Sequence, residues 1–105
     1  MSYMIAISRT TKLKAKDYGI VSTEDNSDDM VRRLKLNFNN GFSLSVISGY
    51  GSYGGEDGLF EVALFNKMGE FCGQDELPDL FEYDDVVGHL DFTEVKQIMK
   101  RVSEI

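Results

Sequence analysis

The 105-residue chain has no tryptophan and only one proline, one cysteine and one histidine. Each scarcity removes a class of protein. A single cysteine, Cys72, forms no intramolecular disulfide, which excludes a small secreted scaffold held by bridges and makes the cytoplasm the expected compartment. Cys72 and His89 together fall short of a structural zinc set, so no metal and no cofactor is expected. The sole proline, Pro78, argues against a proline-rich linker. No stretch approaches the roughly 20 apolar residues that cross a bilayer, so no membrane association is expected. The apolar start, Met1 to Ile7, meets Arg9 too soon for a signal core and reads as a strand. Basic charge is also short, with 11 Lys and Arg against 18 Asp and Glu and a formal charge of −7. That balance repels phosphate over most of the surface and argues against nucleic acid as the partner.

The chain does contain seven Phe and five Tyr, enough large apolar surface to offset chain entropy in a folded core. The length fits a single domain over residues 1–105. After a polar cluster at Asn26 to Asp29, Leu34, Leu36 and Phe38 alternate with Arg33, Lys35 and Asn37 in a predicted strand from Met30 to Phe38. A second strand, Phe42 to Ser48, alternates Phe42, Leu44 and Val46 with polar or outward positions. Register decides the turn between them. A loop of Asn40 and Gly41 alone would set Leu36 against Ser45, whereas the three-residue loop Asn39-Asn40-Gly41 sets Leu36 against Leu44 and Leu34 against Val46.

Leu59 to Phe65 gives a third strand with Phe60, Val62 and Leu64 on one face, and Asn66 to Gly69 turns the chain toward a short strand around Glu70 to Cys72. Gln74 to Asp85 reads as an acidic loop pinned by Leu77, Leu80, Phe81 and Tyr83. At the C-terminus, Asp91 and Glu94 have capping-box spacing, Leu90 and Val95 form a hydrophobic staple, and Val95, Ile98, Met99 and Val102 recur at helical intervals. Lys96, Lys100 and Arg101 fall toward the negative end of that helix. The expected fold is α+β: an antiparallel sheet of four or five strands with the C-terminal helix packed on one face.

Four features bear on chemistry. Gly49 to Gly54 spells G-x-G-x-x-G, but Gly55-Glu56-Asp57-Gly58 and a strand follow, so the helix N-terminus and βαβ setting of a dinucleotide site are missing. Tyr50 and Tyr53 in that glycine loop are contact candidates, since tyrosine offers large area with a polar tip. Charge is segregated. Residues 9–35 hold seven basic side chains, among them Arg32 and Arg33, while residues 56–94 hold twelve acidic ones and only Lys67, a net of −11. Asp79, Glu82, Asp84 and Asp85 are the acidic contact candidates, but their D-x-x-E-x-D-D spacing lacks the glycine and terminal glutamate of a calcium loop. Nothing pairs an acid with a base or a nucleophile, and Cys72 and His89 read as packed residues, so no catalytic residue is assigned and no enzyme is expected.

The runs Asn40 to Val46, Gly58 to Ala63 and Asp85 to Leu90 leading into Glu94-Val95 resemble small bacteriophage-encoded proteins of uncharacterised function, over about residues 33–103. The resemblance implies a viral protein in the host cytoplasm, where short acidic proteins inhibit nucleases, restriction systems or CRISPR complexes by occupying basic surfaces. It carries over no functional residue. The leading expectation is a non-enzymatic protein that binds a host protein of basic surface through residues 75–85 and the tyrosine-bearing loop. A second is capture of a nucleotide signal, with Tyr50 or Tyr53 stacking on the base and Arg32 or Arg33 meeting phosphate. A third is a virion or assembly component. The residues do not set the oligomeric state.

Overall fold

The computed structural model describes residues 18–49 and 59–105. The predicted strand at Met1 to Ile7 and the contact candidates Tyr50 and Tyr53 lie outside these residues. Within them, strict alternation builds the centre of a sheet. Leu34, Leu36 and Phe38 of β2 (Val31–Phe38) and Leu44 and Val46 of β3 (Ser43–Gly49) turn to the same side and are buried. Their register is that of the three-residue loop, with Leu36 opposite Leu44 and Leu34 opposite Val46. The Phe38 amide donates to the Phe42 carbonyl at 2.9 Å, and Gly41 closes the loop at φ 92°, a backbone setting that glycine adopts without steric cost.

Three further strands complete an antiparallel meander in the order β1-β2-β3-β4-β5, with β1 at Ile20–Asp25, β4 at Phe60–Phe65 and β5 at Val86–Leu90. β4 buries Phe60, Val62 and Leu64 as its alternation requires. The β4–β5 ladder carries a bulge: Phe60 faces Leu90 and Val62 faces Val87, so Glu61 stands opposite both Gly88 and His89. His89 takes φ 58° there and points to solvent, which corrects its reading as a packed strand-end residue. The short strand expected at Glu70 to Cys72 is a single bridge between Phe65 and Phe71.

Between Cys72 and β5 the chain makes a four-residue helix, α1 (Gly73–Glu76), where a loop was expected. α2 (Phe92–Ser103) follows β5. Asp91 Oδ1 accepts from the Glu94 amide at 2.8 Å, and Glu94 Oε1 accepts from the Asp91 amide at 3.0 Å, the reciprocal capping box. Val95, Ile98, Met99 and Val102 join the sheet's buried face, together with Leu90, in one apolar cluster. Burial of each such side chain contributes about 1.5–3 kcal/mol. Asn40, in the β2–β3 loop, donates from Nδ2 to the Val102 carbonyl at 2.8 Å, so the hairpin satisfies a carbonyl of the last turn of α2.

Candidate functional site

The acidic segment is an ordered strap. Cys72 is buried, and its carbonyl accepts from the Asp75 and Glu76 amides to start α1. The Leu77 amide then donates to Gly73, and the Leu77 carbonyl accepts from Leu80 and Phe81, giving a second turn that begins with Pro78, where no amide is needed. Leu77 and Phe81, four residues apart, reach the core, while Leu80 is half-buried against it. Gly73 lies under the Phe81 ring, and a methyl group there would sit 2.5–2.7 Å from three ring carbons. Only a hydrogen fits that contact.

The anchoring dictates what faces outward. Tyr83 is 92 % exposed, against the expectation that it pins the loop. Leu77 and Phe81 already occupy the inward positions of the turn, and the chain beyond Phe81 runs out to solvent. Glu82, Asp84 and Asp85, beside Tyr83 in the chain, are exposed as well. Asp79 behaves differently. Its two oxygens accept from both terminal nitrogens of Arg101 at 2.6 and 2.9 Å, tying the strap to α2, and this guanidinium holds the carboxyl below the usual range. Of the four acidic candidates, three are exposed next to an exposed aromatic residue in the chain and one secures the strap.

Glu61, next to this region on β4, has its carboxyl pushed up, first by burial and then by the charge of Asp84. Among the described residues no group of three or more His, Cys, Asp or Glu is arranged to hold a metal ion. Cys72 has its thiol pushed up to about 11, mainly by burial and further by Glu76 and Asp75, so it stays protonated at neutral pH.

The basic candidates do not converge. Arg32 and Arg33 are strand neighbours and project to opposite faces of β2: Arg32 lies on the side of Leu34 and Leu36, and Arg33 shares the other side with Lys35. Arg33 Nη1 also donates to Asp28 Oδ2 at 3.0 Å. A phosphate clasped by both arginines is therefore not built. The first glycine of the G-x-G-x-x-G run has a structural explanation. Gly49 pairs with Val31 at φ 131°, and a side chain there would meet the Met30 carbonyl oxygen at 2.5 Å. The next described element is a strand, β4, as expected from the residues following the motif.

These observations define a small α+β domain with a five-stranded antiparallel meander, one covering helix and an acidic strap. No protein-family model, curated protein or solved structure matches the chain. No helix among the described residues is long and apolar enough to cross a membrane.

Proposed function

We propose that the chain is a non-enzymatic binding protein whose strap between α1 and β5 docks on a basic surface of another protein. The carrying observation is Tyr83, an almost fully exposed aromatic residue next in the chain to the exposed Glu82, Asp84 and Asp85, on a segment anchored by Leu77 and Phe81. An aromatic anchor within a charged rim matches the anatomy of protein-binding hot spots, and the pre-ordered backbone lowers the entropy lost on docking. The surrounding charge steers a cationic partner toward the ring. The resemblance to phage proteins makes a bacterial protein that handles nucleic acid, such as a nuclease, restriction or CRISPR component, the partner class to try first. An inhibitor of this kind would work by occupying the surface meant for phosphates.

The test is capture from bacterial lysate with three baits: the wild type, Tyr83→Ala, and the triple variant Glu82→Gln, Asp84→Asn, Asp85→Asn. Asp79 is left intact because it holds the strap. A protein of basic surface should be retained by the wild type and lost by both variants while their circular dichroism stays native. Retention by both variants would remove the strap from the interface.

A further inference from the structure

The face of the sheet away from the apolar cluster carries a trough that nothing above uses. Successive cross-strand rows bring Lys35, Ser45 and Ala63 together at its centre, with Arg33, Ile47 and Glu61 in the row on one side and Asn37, Ser43 and Phe65 in the row on the other. The opening has a volume of about 250 Å³ and is lined by Asn26, Arg33, Leu34, Lys35, Ser45, Phe65 and Gly69. Its two ends differ chemically. Arg33, Lys35 and Asn26 place charged and amide donors at one end, while Phe65, its ring 4.7 Å from that of Phe71, forms an aromatic wall.

Each cation already has one carboxylate beside it but keeps donors to spare. Arg33 gives one terminal nitrogen to Asp28 and keeps the rest of its fork. Lys35 stands 4.0 Å from Glu24, at the outer limit of an ion pair. The Ser45 hydroxyl has no hydrogen-bond partner among the described residues, in contrast to Ser43, which donates to Asn37 Oδ1 at 2.8 Å. In the cavity range typical of ligands, about 300–1,000 Å³, this trough lies just below the lower end and suits a compact molecule.

We propose that this trough binds a small anion joined to a planar aromatic ring, the anion between Arg33 and Lys35 and the ring against Phe65. A nucleoside monophosphate and an aromatic carboxylate share that chemistry. The lining takes no residue from the strap. It uses Arg33 without Arg32, and the ring is met by phenylalanine on β4.

Nuclear magnetic resonance titration of the full chain tests the proposal with four probes: adenosine 5′-monophosphate, benzoate, adenosine and inorganic phosphate. At least one of the first two should shift the amides of Lys35, Ser45 and Phe65 and bind more tightly than adenosine or phosphate, and which of them does so identifies the source. Lys35→Gln, a change at a half-buried position, should weaken that binding about tenfold, as expected for loss of one charge-assisted hydrogen bond. Arg33→Gln should act in the same direction, and Arg32→Gln, on the opposite face, should leave affinity unchanged. Absence of shifts with both aromatic anions, equal binding of phosphate alone, or an equal effect of Arg32→Gln would overturn the assignment.

Discussion

At the residue scale, close approach explains more than side-chain chemistry does. Gly73 and Phe81 form a contact that admits no methyl group, and it fixes the strap that displays Tyr83. Gly73→Ala should therefore destabilise the fold by about 1–3 kcal/mol, the usual cost of overpacking. Gln74→Ala, one residue on and exposed, should stay within about 0.5 kcal/mol in the same urea titration. Equal effects of the two would show that the strap yields around the added atom. Neither glycine contact was legible from the sequence, because both depend on a distant partner brought near by folding: Phe81 for Gly73 and Met30 for Gly49. The G-x-G-x-x-G spelling drew notice to Gly49, but its requirement is a strand pairing.

Glu61 gives a pH signature at the same scale. Burial and Asp84 raise its pKa in the folded chain, so on raising the pH the unfolded carboxyl ionises first. The folded state then loses relative stability from the ordinary glutamate range up through the raised folded value, and the cost persists above it. Glu61→Gln should raise Tm at pH 7, and the gain should vanish at about pH 3, where the carboxyl is protonated in both states. A gain that is the same at both pH values would locate the effect in packing.

At the element scale, legibility followed the amount of apolar surface each segment turns inward. β2, β3, β4 and α2 each bury several side chains at their own period, and the sequence shows that period directly. The staggered pairing of Leu36 with Leu44 even discriminated between two loop lengths. β1 buries only Ile20 among six residues and is held as an edge strand by its ladder to β2, so it has no alternation to read. The Asn26 to Asp29 cluster was visible as a break, and the structure makes it the β1–β2 loop. There the Asp28 carboxylate accepts from the Met30 and Val31 amides and from Arg33, which together hold its pKa down to about 2. α1 was missed because four residues are too few for a period to emerge. For the element with the plainest signal, the cap is testable. Asp91→Ala should cost about 1 kcal/mol, and Asp91→Ser should recover most of it, read by thermal unfolding. No recovery with serine would mean that Asp91 acts by something other than accepting the Glu94 amide.

At the scale of the whole molecule, the excess of 18 acidic over 11 basic side chains acts on two equilibria with opposite sign. Within the folded chain, like charges repel, and the described residues extend at most 33 Å. At about 0.01 M salt the screening length is roughly 30 Å, so nearly every acidic group feels every other, while at about 0.15 M it contracts to roughly 8 Å and only neighbours interact. Added sodium chloride should therefore raise Tm over that range. Docking of the strap on a basic partner draws on the same charge with the reverse sign, so the same salt should weaken the complex, mainly by slowing association. Neutralising Glu82, Asp84 and Asp85 should reduce both dependences together, because the three carboxylates contribute to the self-repulsion and to the steering. Scanning calorimetry of the free chain and stopped-flow association with the captured partner measure the two slopes. Parallel slopes, with salt stabilising both the free chain and the complex, would mean that the acidic face keeps the chain dispersed in water and that contact with the partner is made elsewhere.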